Sequence, residues 1–106
     1  MGTINVDCIN GQDSIKFVLK GRIDATNAYS FSDAVRSAVG EASEKEVVFD
    51  CGGLEYISSM GLRVLLGIRK RRSKPVKLAN VSGEVLSILN ITGFTQLFDV
   101  SGGNEQ

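Results

Sequence analysis

The chain has 106 residues, 42% of them hydrophobic, enough for one compact domain that buries about two-thirds of its unfolded surface and leaves no length for a second. It contains no histidine, the usual general base of serine and cysteine hydrolases and the commonest transition-metal ligand, so neither an enzyme nor a cofactor or metal site is expected. Net charge is zero but unevenly laid out: Met1 to Glu55 holds five basic and nine acidic residues, whereas Tyr56 to Gly83 holds seven basic and none acidic.

No apolar run nears the roughly 20 residues of a membrane span, and the first residues lack the basic and apolar segments of a secretory leader. Val6 stands where a myristoylation signal has Ser or Thr, and Glu105-Gln106 is not a prenylation box, so a cytoplasmic protein without an anchor is expected. Cys8 and Cys51 form no CxxC pair and have apolar neighbours, which reads as two reduced thiols in a cytosolic interior.

Ile4, Val6 and Cys8 alternate, as do Ile15, Phe17 and Leu19, and Asn10-Gly11 between them offers a tight turn, so the chain opens with a β-hairpin. Ala28, Phe31, Val35, Ala38 and Val39 recur at helical spacing, with Gly40 placed to stop the helix. Val47-Val48-Phe49 reads as a short strand buried on both faces. Asp50 to Leu62 reads as its link to a second helix, over about Ser59 to Arg72. A weaker strand follows at Val76 to Ala79. Ser82 then caps a third helix carrying Val85, Leu86 and Leu89, which Gly93 ends before a last strand near Leu97 to Val100. Residues 1–100 form the expected domain, and 101–106 an expected disordered tail. The order β-β-α-β-α-β-α-β implies an α/β fold: a mixed central sheet, antiparallel in the hairpin and parallel beyond it, covered by helices.

Chemistry concentrates in Asp50 to Leu62, at the strand end where α/β folds place binding sites. It is neither a Walker loop, since no Lys-Ser or Lys-Thr follows the glycines, nor a nucleophile elbow, since no base is present. Ser59 falls at or beside the helix N-cap, and Ser58 fits that capping role equally well. On a helical wheel Gly61, Leu62, Val64, Leu65, Leu66 and Ile68 share a core-facing arc, leaving Met60, Arg63, Gly67, Lys70 and Arg71 outside. An apolar residue and a glycine on that outer arc fit a partner backbone approaching closely; equally, Met60 rests on the preceding loop and Gly67 is simply tolerated. Asp24 either caps the first helix or is brought near Ser59 by paired strand ends, as an acidic contact for a partner.

The run Arg69-Lys70-Arg71-Arg72, with Lys74 and Lys77, resembles a nucleic-acid patch, but no aromatics interleave to stack bases. Cations also offset the negative helix end by about 0.3 to 1 kcal/mol each, and an acidic protein partner is the better use of the rest.

Gly21-Arg22-Ile23-Asp24, Val47-Val48-Phe49-Asp50 and Leu54-Glu55-Tyr56-Ile57-Ser58-Ser59-Met60-Gly61-Leu62-Arg63-Val64-Leu65-Leu66 together resemble the STAS family, the sulfate transporter and anti-sigma antagonist domain, and specifically its free-standing anti-anti-sigma members. The resemblance covers nearly the whole chain, to Phe98. It implies a non-enzymatic regulator that binds, when unphosphorylated, an anti-sigma factor that is also a serine kinase, releasing a sigma factor. Phosphorylation reverses the binding and a PP2C-type phosphatase resets it. The family's phosphorylated serine lies two positions before the motif glycine, which is Ser59 counted back from Gly61; Ser58, at a position often held by aspartate, is the alternative. Asp24, Ser58, Met60, Arg63 and Gly67 form the implied partner face; separately, the small size and the absence of a long apolar edge make a monomer the expected state. Two other readings stand beside this one: a STAS scaffold or small-ligand module without a phosphate cycle, and an enzyme using Ser59 or Cys51 with Asp24 as base.

Overall fold

The computed structural model describes residues 3–40, 45–72 and 74–102. Among them the order is β1 (Ile4–Asn10), β2 (Ser14–Ile23), α1 (Ala28–Val39), β3 (Glu46–Ile57), α2 (Ser59–Lys70), β4 (Val76–Val81), α3 (Gly83–Thr92), a 3-10 turn (Phe94–Gln96) and β5 (Asp99–Gly102). The strands form one five-stranded sheet in sequence order, with β1 antiparallel to β2 and each later pair parallel. This is the mixed α/β sheet that the sequence implies.

Every parallel step moves to the next strand in the same direction, so right-handed crossovers put α1, α2 and α3 on one face of the sheet. Side-chain alternation agrees. Phe17, Phe49 and Leu78 lie in register across β2, β3 and β4, are all buried, and join Phe31 and Val35 of α1, Leu62 and Leu65 of α2, and Val85 and Leu89 of α3 in one core. Phe17 and Phe49 stack at 5.4 Å between ring centroids, and Phe31 meets Phe49 at 6.0 Å.

The opposite face is open. Val48 is only half-buried there, set in register between Lys16 and Lys77, so the run Val47-Val48-Phe49 is not buried on both faces as expected. With all three helices on one side, a central strand has a wet face despite its apolar sequence.

β3 is also much longer than its apolar run. It continues through Asp50, Cys51, Gly52 and Gly53 to Ile57, where a connecting loop was expected. Between the pairs Val18/Asp50 and Lys20/Gly53, and again between Gly21/Leu54 and Arg22/Tyr56, β3 uses one residue more than β2. Two bulges therefore break its period of two, so that buried positions fall at Val47, Phe49 and Cys51 and then at Leu54 and Ile57. Gly53 sits at the first bulge because a Cβ there would lie 2.9 Å from Lys20 Cγ and 3.0 Å from the Leu19 carbonyl oxygen.

Other boundaries shift modestly. The hairpin turn is longer than a two-residue Asn-Gly turn, with the Gly11 N–H donating to the Ser14 carbonyl at 2.8 Å. Gly40 and Gly93 are the C-caps of α1 and α3, as expected. α2 ends at Lys70 rather than Arg72. After the 3-10 turn Leu97 and Phe98 are still turn and bend, so β5 begins at Asp99, two residues later than expected, and takes Ser101 and Gly102 out of the expected tail. Residues 103–106 lie outside the described residues.

Candidate functional site

α1, α2 and α3 each begin where a parallel strand ends, so their N-termini gather at the carboxyl edge of the sheet. Ile23 and Ile57 are register partners at the ends of β2 and β3, and the Ser58 N–H donates to the Ile23 carbonyl at 2.8 Å. Asp24 and Ser58 are the next residues on the two paired strands. The strand pairing thus brings these two sequence-predicted residues to the same edge.

Ser58 is the N-cap of α2: its backbone is extended, and its Oγ accepts the Gly61 N–H at 3.3 Å. Ser59 is the first helical residue, and it is exposed. The two serines therefore have separate roles. Ser82 caps α3 in the same geometry, its Oγ accepting the Val85 N–H at 3.3 Å.

Gly61 is buried against both strand ends. A Cβ there would lie 2.7 Å from Ile23 Cγ2 and 2.7 Å from Ile57 Cγ1, so only a glycine lets the first turn of α2 sit this low on the sheet. Gly67 is the opposite case, since a Cβ there would meet nothing within 4 Å. Arg63 and Lys70 are exposed along the same helix. Met60 differs from its expected exposed setting: it is half-buried and packs against the core, because the first turn of α2 is held close to the sheet at Gly61.

Asp24 is not the cap of α1; Asn27 holds that position. Asp24 instead organises the preceding loop. Its Oδ1 accepts the Thr26 hydroxyl at 2.6 Å, the Thr26 N–H at 3.0 Å and the Asn27 N–H at 3.2 Å, while its own N–H donates to Asn27 Oδ1 at 2.8 Å. Such a turn fixes the loop's shape beside α2.

Two rings, one exposed and one half-buried, lie near the same edge and were not singled out as site residues in the sequence. Tyr29, in the first turn of α1, is 68% exposed. Its signal was present, since it falls off the stripe of Ala28, Phe31 and Val35. The Arg22 guanidinium lies 4.6 Å from the centroid of the Tyr56 ring, its register partner, a contact visible only once β2 and β3 are paired.

The cysteines behave differently from each other. Cys51 is buried, and burial first, with the Asp50 charge second, pushes its thiol up to about 12. It is therefore a protonated core residue at neutral pH and no nucleophile. Cys8, expected inside, is exposed on β1, where every residue from Asp7 to Asn10 is exposed. Asp50 itself is held below its usual value, chiefly by the Asn80 side-chain amide at 3.0 Å and also by the Gly52 N–H at 3.0 Å and the charge of Lys16, against opposing desolvation.

A capped helix thus lies over paired strand ends, with an exposed serine at its first position and a buried glycine two residues on. Residues 4–103 match the STAS domain family. BtrV of Bordetella bronchiseptica, named as an anti-sigma factor antagonist, is 33% identical over 90 residues, covering 82% of this chain and 77% of that protein. The anti-sigma-B factor antagonist of Bacillus subtilis is 25% identical over 105 residues, covering 96% and 94%. An anti-sigma factor antagonist from Mycobacterium paratuberculosis shares the fold with a TM-score of 0.82 at 19% identity, covering 92% of this chain and 85% of that one. The chain belongs to the STAS domain family.

Proposed function

We propose that this domain is an anti-sigma factor antagonist that binds, when unphosphorylated, an anti-sigma factor acting also as a serine kinase, thereby freeing a sigma factor. Phosphorylation of Ser59 switches the binding off, and a PP2C-type phosphatase restores it. The observation that carries this reading is the division of labour between the two serines: Ser58 is engaged as the N-cap, and Ser59 stands exposed at the first helical position. The anti-sigma factor antagonists among its relatives support the choice of partner.

The physics of the switch follows from that position. Shutting off binding a thousandfold requires about 4 kcal/mol, whereas one lost hydroxyl hydrogen bond supplies about 0.5 to 1.5. A phosphate adds about −1.5 to −2 charge and considerable bulk, and at a helix N-terminus the macrodipole accommodates it. The phosphate therefore blocks the interface while leaving the fold standing. Asp24, Ser58, Met60, Arg63 and Gly67 form the partner face of a monomeric domain, with Asp24 shaping its loop and Gly67 admitting close approach. Incubation with the cognate kinase and ATP followed by phosphopeptide mapping tests the assignment. Phosphate on Ser59 is expected; phosphate on Ser58, or none, refutes it.

A further inference from the structure

α2 spans about 18 Å, so its basic end lies well away from Ser59, at the opposite edge of the sheet. There a cleft of about 570 Å³ opens between the end of α2, the start of β4 and the segment entering β5. Arg69, Lys70, Arg72 and Lys74 line it, with Asp99 as the one carboxylate facing them. Its remaining wall is largely apolar: Pro75, Val76, Leu97 and Phe98, with Gln96. The Phe98 ring is fixed from behind by Phe94, stacked at 6.2 Å. Arg72 is also held in place, its guanidinium donating to the Lys45 carbonyl.

The charge here exceeds what helix termination requires. Two cations, Arg69 and Lys70, already occupy the last turn of α2, where the dipole effect is confined. Lys77 lies nearby but pairs with Glu46 at 3.4 Å and is not among the lining residues. The excess cations surround a concavity rather than spreading over a flat surface. A volume of this size, lined by four cationic and four apolar residues, suits a small ligand with an anionic head and an apolar body. The guanidinium fork of Arg69 suits a phosphate, and Arg72 adds positive charge beside it.

We propose that this cleft binds a small phosphate monoester whose organic part is apolar or aromatic, the phosphate held by Arg69, Lys70, Arg72 and Lys74 and the organic part lying on Leu97 and Phe98. The site is independent of the Ser59 switch, and its fate does not depend on that reading.

Amide chemical-shift mapping of the full chain, titrated with phenyl phosphate, tests it. Saturable shifts confined to residues 69–72, 74, 76 and 96–99 are expected, with smaller ones for inorganic phosphate. The double variant Lys70→Gln/Lys74→Gln, which changes two exposed side chains, should bind about tenfold more weakly with an unaltered Tm. Lys16→Gln, on the open sheet face, should bind unchanged. Equal binding of inorganic phosphate and phenyl phosphate would overturn the apolar part of the proposal. Stronger binding of a glutamate-rich peptide, or of phosphatidylglycerol vesicles, would reassign the cleft to a protein or a lipid surface. Shifts that follow Lys16 and Lys20 as much as the cleft, or no shifts, would eliminate the site.

Discussion

Ser58 Oγ and the Gly61 amide lie 3.3 Å apart, and this one hydrogen bond fixes which of two adjacent serines belongs to the fold. Ser58→Ala removes the cap and should cost about 1 kcal/mol of stability. Ser59→Ala, at an exposed first-turn position, should change stability by less than about 0.5 kcal/mol. Urea unfolding of the two variants side by side checks the difference; equal losses would mean that the cap is shared.

Gly61→Ala places a methyl group against Ile23 and Ile57, which are buried to 0% and 2% exposure and have little room to give. Alanine's better helix propensity returns about 1 kcal/mol, but overpacking costs about 1 to 3 and tilts α2 away from the strand ends. The expected result is a lower Tm together with weaker partner binding, because the helix carrying Ser59 is displaced.

Gly67→Ala should do the reverse to the isolated domain. No atom lies within 4 Å of the added Cβ, so the helix gains up to about 1 kcal/mol. If a partner backbone rests on this position, the stabilised variant binds more weakly. Tm by calorimetry and partner affinity, measured on the same preparation, separate the two effects.

Cys51 should be silent toward iodoacetamide at pH 8 in the folded protein, while Cys8 is alkylated. Because the folded thiol is raised from 9.0 to about 12, the unfolded chain releases its proton first. Stability from this group is thus complete below pH 9 and declines as pH rises toward 12. Mass spectrometry before and after denaturation gives the labelling, and Cys51→Ala should flatten the alkaline decline.

Much of this was legible before the structure. The stripes of α1 and α2 and the capping serine of α3 specify their elements locally, because helical spacing and a cap need no knowledge of distant residues. β3 was not legible past Phe49. Its two bulges shift the buried positions from every second residue to Leu54 and Ile57, and Gly52-Gly53 reads as a turn unless the adjacent strand's Lys20 and Leu19 are known to press on it. The open face escaped for a similar reason, since Val48 is as apolar as Val47 and only the shared side of three crossovers exposes it. At the site, Ser58 and Ser59 each fitted the cap by spacing alone. The hydrogen bond to Gly61 is what divides them.

The most direct measurement is Ser59→Asp, read by thermal unfolding and by calorimetric titration with the cognate anti-sigma factor. An unchanged Tm with affinity reduced by up to a thousandfold, about 4 kcal/mol, is the predicted result. Full affinity, or a loss of binding that accompanies a collapsed Tm, would contradict a switch that acts at the interface on an intact fold.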